Sequence, residues 1–165
     1  MRFLYFPTNI EIMSHRRYFK YEEFTYSEKA DKLNIDNTPD ETAKENINEL
    51  MEVMDKIRAM WTAYCNGNCI FKPEIYITSG FRCEALNEAV GGSKTSAHKI
   101  GSACDFKPRN GHLSDLFMVT QQVLFDYGIP FDQLIFETKG NSQWIHLGLQ
   151  TKNGERRYQI KSLKS

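Results

Sequence analysis

The stretch "QLIFETKGNSQWIHLGL", residues 133–149, sets two apolar runs, QLIFE (133–137) and WIHLGL (144–149), on either side of the polar, turn-forming TKGNSQ (138–143). Runs this short, rich in β-branched and aromatic residues and separated by so few residues, read as two adjacent antiparallel strands. Just upstream, residues 114–127 carry Leu116, Phe117, Val123 and Leu124 at helical spacing and stop at Gly128, which predicts an amphipathic helix. Further back, SACDF (102–106) is expected to be a strand with Ala103 and Asp105 on one face and Cys104 and Phe106 on the other. EIYITSG (74–80) alternates with period two and runs into a glycine turn, and CEALNEAV (83–90) can form a short helix. The turn-rich GGSKTS (91–96) then delivers His98 from a loop.

The first half of the chain supplies the helix to cover such a sheet. Thr38-Pro39-Asp40-Glu41 reads as a capping box with Thr38 as N-cap, and Ile47, Leu50, Met51, Met54, Ile57 and Trp61 follow as one apolar stripe that reaches about Tyr64. Residues 1–37 are aromatic and mixed in charge, with at most a short helix around YEEFTYSEKADKL (21–33). At the other end NGERRYQI (153–160) suggests one more hairpin, at an Asn-Gly turn. Together the segments predict an α+β fold, a small and mainly antiparallel sheet with helices packed on it. The organisation expected is a poorly defined lead-in over residues 1–19 and a single domain over residues 20–165.

Bulk properties narrow the function. The 165 residues suffice for one hydrophobic core, and 21 Lys+Arg against 21 Asp+Glu leave no basic excess to bind a nucleic-acid backbone. No apolar run reaches the 18 or so residues of a membrane span, and the first thirteen residues lack the apolar stretch and cleavage site of a signal peptide. The expectation is a monomer made in the cytoplasm that neither spans a membrane nor carries its own export signal. Cys65, Cys69, Cys83 and Cys104 show no paired zinc-finger spacing and are expected to be reduced, structural thiols.

The chemistry concentrates in "SAHKIGSACD", residues 96–105. A catalytic zinc takes three nitrogen or oxygen ligands and keeps a fourth position open. His98 in a loop and Asp105 on the following strand can converge on one ion, because Gly101 lets the chain turn back and Ala103 leaves the shared strand face uncrowded. His15 lies in the lead-in and His112 in a polar loop, so His146, on the strand WIHLGL, is the best third ligand. Taken alone, the spacing also fits a loop histidine and a strand aspartate that only form hydrogen bonds.

The order of motifs carries more than any one of them. Ser96-x-His98-x-x-Gly101-x-Ala103-x-Asp105, then Trp144-x-His146, preceded by TSGFR (78–82), resembles the zinc D-Ala-D-Ala carboxypeptidase family of peptidoglycan peptidases, in a branch similar to phage endolysins. The likeness extends to ALNEAVGGSKTSAH (85–98), FDQLIFE (131–137) and FTYSEKADKLNIDNTP (24–39), and so covers roughly residues 20–150. It implies the Hedgehog/DD-peptidase type of fold, zinc (Zn2+) held by His98, Asp105 and His146, and hydrolysis of amide bonds in bacterial cell-wall peptides. It also implies synthesis in the cytoplasm with action at the wall, in a phage or prophage setting.

Hydrolysis of this kind needs a general base. Relatives often place an acidic residue three positions before the last histidine ligand, and here that position is Gln143. Glu137 is the replacement, provided it lies opposite Trp144, which turns its carboxylate to the face of His146; pairing with Gln143 would turn it away. Arg82 suits a substrate carboxylate through its planar fork, while Ser96 binds substrate or steadies its loop, and Trp144 walls the cleft or joins the core. Asp132 and Gln133 are expected to cap or brace the hairpin. Two further readings stand beside the peptidase: a catalytically inactive zinc-containing domain that binds cell-wall peptides, and a plain structural domain without metal.

Overall fold

The computed structural model describes residues 17–164, so Met1 to Ile12 and His15 of the expected lead-in lie outside the described residues. Arg17 ion-pairs with Asp55 at 3.7 Å, and Phe19 is buried against Phe24.

The fold is α+β. In chain order it comprises a 3₁₀ turn (Tyr21–Phe24), α1 (Glu28–Leu33), α2 (Glu41–Gly67), β1 (Ile75–Ser79), α3 (Glu84–Ala89), a second 3₁₀ turn (Ala97–Ile100), β2 (Ala103–Pro108), α4 (Leu113–Asp126), β3 (Gln133–Lys139), β4 (Ser142–Gly148) and β5 (Gln159–Lys164). The five strands form one sheet in the order β1-β2-β4-β3-β5, antiparallel except for the outermost pair, β3 and β5.

Strand alternation gives this sheet two chemically different faces. Cys104 and Phe106 of β2, Leu134 of β3, and Ile145 and Leu147 of β4 are fully buried on the face covered by α2 and α4. Asp105, Glu137, Trp144 and His146, their alternates, stand on the other face and line a cleft. The stripe of α2 is realised as read: Ile47, Leu50, Met54, Ile57 and Trp61 are all at most 1 % exposed, each burial worth roughly 1.5–3 kcal/mol.

Several local expectations are corrected. Asp40, not Thr38, caps α2: its carboxylate accepts from Ala43 N at 2.8 Å, while the Thr38 hydroxyl donates to Asp36 at 2.6 Å. The helix continues past Tyr64 to Gly67. The segment 21–33 splits into a 3₁₀ turn and α1, because Ser27 starts a new helix by capping Ala30 N. NGERRYQI forms no hairpin. Asn153-Gly154 does turn, closed by Thr151 N to Glu155 O at 2.9 Å, but the chain then skips past β3 and places β5 parallel to β3 on the edge away from β4.

Candidate metal centre and cleft

The site rests on three neighbouring pieces of chain. β1 slips register by one residue between Ile77 and Ser79 and leads into the Gly80-Phe81-Arg82 turn, which packs tightly on the first 3₁₀ turn. A Cβ at Gly80 would sit 2.1 Å from Phe24 O, and Phe81 N donates to that same oxygen at 2.7 Å, so only glycine fits here. Asn37 locks the turn further: its amide donates to Thr25 O (2.9 Å) and Phe81 O (3.1 Å), and its carbonyl accepts from Cys83 N (2.8 Å). The second 3₁₀ turn carries His98 and ends at Gly101, whose φ of +74° reverses the chain into β2. As expected of that glycine, the reversal brings Asp105 back beside His98. Pairing of β2 with β4 then sets Asp105 directly opposite His146.

Among the described residues one group of three side chains is arranged to hold a metal ion: His98, Asp105 and His146, with ligand atoms all within 4.8 Å of one another. His146 Nδ1 lies 2.9 Å from Asp105 Oδ1, His98 Nε2 lies 3.4 Å from the same oxygen, and the two histidine nitrogens are 3.3 Å apart. Protons alone do not satisfy this cluster. His98 Nδ1 is 2.7 Å from Gly80 O, and a carbonyl can only accept, so Nδ1 carries the hydrogen. Burial lowers the His98 pKa against the pull of Asp105 and keeps the ring neutral, which leaves a bare lone pair on Nε2. At most one proton, on His146 Nδ1, is then shared among three converging lone-pair atoms. A cation resolves that arrangement, and two nitrogens with one carboxylate oxygen suit a borderline-soft divalent ion. Burial would raise the Asp105 pKa, but its contacts with the two adjoining histidines bring it well below the usual carboxylate range. The carboxylate is thus ionised and ready to bind.

The remaining sequence-predicted residues line the same cleft, of about 1100 Å³: Arg82, Ser96, Glu137 and Trp144. Arg82 is only 14 % exposed at its side chain and reaches Asp105 Oδ2 at 3.4 Å, so it engages the oxygen that faces away from the histidines. Ser96 precedes the His98 turn without capping it through its side chain. Glu137 pairs with Trp144 across β3 and β4, the register that turns its carboxylate toward the face of His146. Burial raises the Glu137 pKa, with His146 and Arg82 opposing and Asp105 adding to the rise.

Gln143 pairs with Thr138 instead, on the other face, and donates to the Thr138 hydroxyl at 3.3 Å. His112 is remote, held to Asp115 at 3.1 Å near the start of α4. Cys104 points into the core, and all four cysteines are free, with Cys69 exposed. Asp132 and Gln133 fasten the C-terminal segment rather than the hairpin. Asp132 takes a two-point ion pair from Arg157, with Nε at 2.6 Å and Nη2 at 2.9 Å, and Gln133 bonds Gln159 at 3.0 Å. Asn37 and Arg157 were missed from sequence: an asparagine before a helix and an arginine after a turn look like ordinary cap and surface residues until the fold shows what they touch.

A three-ligand cation site on the floor of an open cleft, with a carboxylate beside it on the same sheet face, has the make-up of a metal-dependent hydrolase. Residues 17–147 match the family model described as Peptidase M15, and the chain belongs to that family. None of the curated proteins compared with it matches. No helix among the described residues is long and apolar enough to cross a membrane.

Proposed function

We propose that this protein is a zinc-dependent peptidase that hydrolyses amide bonds in peptidoglycan stem peptides, of the D-Ala-D-Ala carboxypeptidase or endopeptidase type, and that it acts as a monomer. The observation that carries the reading is the convergence of His98 Nε2, Asp105 Oδ1 and His146 Nδ1 on the cleft floor, within a chain of the M15 family. The resemblance of its motifs to cell-wall peptidases supports the choice of substrate.

In this reading His98, Asp105 and His146 hold the zinc, which supplies an activated water at neutral pH and polarises the carbonyl to be cut. Glu137 accepts the proton of the attacking water and returns it to the departing amine; its place opposite Trp144, on the face of His146, supports that role. Arg82 holds the Asp105 carboxylate in orientation and offers positive charge to a substrate carboxylate or carbonyl at the floor. Ser96 and Trp144, which both line the cleft, contact the peptide.

The test is mass spectrometry of defined muropeptides after incubation with zinc-loaded protein. Release of D-Ala or of stem-peptide fragments is expected. A second reading, a zinc-containing domain that binds cell-wall peptides without cutting them, draws on Gln143, which occupies the position where relatives carry an acid and faces away from the site. Muropeptides that bind and stay intact would favour it.

A further inference from the structure

The cleft has a second polar end that the proposed chemistry leaves idle. Along β3, Gln133, Ile135 and Glu137 share the cleft face, and Ile135 lies opposite His146 in the ladder. The ligands therefore sit between two ends of the strand, with Glu137 and Trp144 on one side and Asp132, Gln133 and Arg157 on the other. Two residues of strand separate Gln133 from Ile135, about 7 Å at the usual rise.

Arg157 is built into this end. Asp132, 3 % exposed at its side chain, takes Nε and Nη2 of the guanidinium and also accepts from Arg157 N at 3.3 Å. The arginine is thus fixed on one edge of its fork. Nη1 makes no bond to a described residue, and 45 % of the side chain remains exposed at the cleft wall. Arg82, by contrast, is 14 % exposed and turned to Asp105. Arg82 also keeps a donor without a partner, its Nε, but that atom is buried, whereas Arg157 presents Nη1 from an exposed side chain that a buried counter-charge keeps in place.

We infer that Arg157, positioned by Asp132, is a subsite for a carboxylate of the substrate peptide, located about two residues of extended chain from the cut bond on the side of the metal opposite Glu137. The inference deepens the peptidase reading and rests on it for the nature of the ligand. A planar guanidinium with one edge occupied still presents its Nη1 and Nη2 hydrogens to a second carboxylate, and charge-assisted bonds of this kind separate an acid from its amide.

The experiment measures equilibrium binding by calorimetry to the metal-free protein, which does not turn over. The probes are acetylated L-Ala-D-Glu-L-Lys-D-Ala-D-Ala and two analogues, one with the D-Glu carboxylate as carboxamide and one with a C-terminal carboxamide. The parent should bind the full acid about tenfold more tightly than one of the amides. Arg157→Ala should abolish that preference, and Arg157→Lys, which keeps the charge and the pairing with Asp132 but lacks the fork, should retain the thermal midpoint and part of the preference. Equal weakening of acid and amide in Arg157→Ala would show a structural strap and overturn the subsite, as would a preference that survives both substitutions. Cleavage of the same peptides by zinc-loaded parent is read separately. An Arg157-dependent acid preference without any cleavage would uphold the subsite and sink the peptidase.

Discussion

Glu137 and Gln143 lie close together near the turn of one hairpin, yet one faces the site and the other does not, and a single step of register decides which. Because Glu137 pairs with Trp144, replacing it with glutamine keeps the shape and the ladder while removing the ionisable group. Glu137→Gln should retain fold and metal content and lose peptide hydrolysis by a factor on the order of 10²–10⁴; parental activity on muropeptides in this variant would take Glu137 out of the mechanism. The thiols give a second residue-scale test. Burial pushes the Cys65 thiol up to about 11 and raises Cys104 well above its ordinary value of 9.0. An unfolded chain ionises both thiols near 9.0 while the fold retains their protons, so their contribution to stability is complete below that pH and declines as pH rises toward 11. Denaturant midpoints measured from pH 8 to 11 should fall, and less steeply in Cys65→Ala; thiol labelling of the native protein at pH 8 should reach exposed Cys69 first. His98, Asp105 and His146 were legible together because a glycine break, a two-residue alternation and a strand assignment let them converge, and the likeness of the motif order singled them out as a ligand set. Asn37 and Arg157 were not, since each acts through backbone or side-chain partners far along the sequence that only the packed structure supplies.

At the scale of elements, the readings that held were those governed by local periodicity. The α2 stripe, the two faces of β2, and the β3–β4 hairpin follow from 3.6- and 2-residue repeats. The readings that failed concerned ends and connections. Thr38 and Asp40 are both sound N-cap residues, and the choice between them fell to Asp40 because Thr38 is already engaged by Asp36. The Asn153-Gly154 turn is real, but whether a turn becomes a hairpin depends on which sheet edge is vacant, and the vacant edge was that of β3. Two substitutions probe the junctions. Asp40→Ala should cost about 0.5–2 kcal/mol by exposing the first turn of α2. Gly101→Ala should cost more than about 1 kcal/mol, since a Cβ there meets Ala43 O at 2.5 Å on a backbone with φ of +74°. The second should also weaken metal binding, because His98 and Asp105 lie on either side of the bend, whereas the first should leave it unchanged. Denaturation curves paired with metal titrations separate the two.

For the whole molecule, the proposed zinc joins three elements distant in sequence: the second 3₁₀ turn, β2 and β4. An ion held a hundredfold above its dissociation constant adds about 2.7 kcal/mol to the native state, or roughly 5–10 °C in the midpoint of a domain this size. Scans with and without chelator should differ by that amount in the parent, and the difference should vanish in His98→Ala, Asp105→Ala or His146→Ala along with the bound metal. Cys104→Ser should keep it, since that side chain points into the core. An unchanged metal content in all three ligand variants would remove the site.

The position of β5 has a consequence for handling the protein in solution. As the outermost strand it has a backbone edge that pairs with no other described strand, with Leu163 47 % exposed, and unpaired edges template the addition of strands from other molecules. The charges of Lys161 and Lys164 on that edge discourage two copies from joining there, but such repulsion reaches only about 3 Å in 1 M salt. Concentrated stocks are therefore expected to stay clear at low ionic strength and to form strand-linked aggregates when salted, and replacing both lysines with threonine should bring on the same turbidity without added salt.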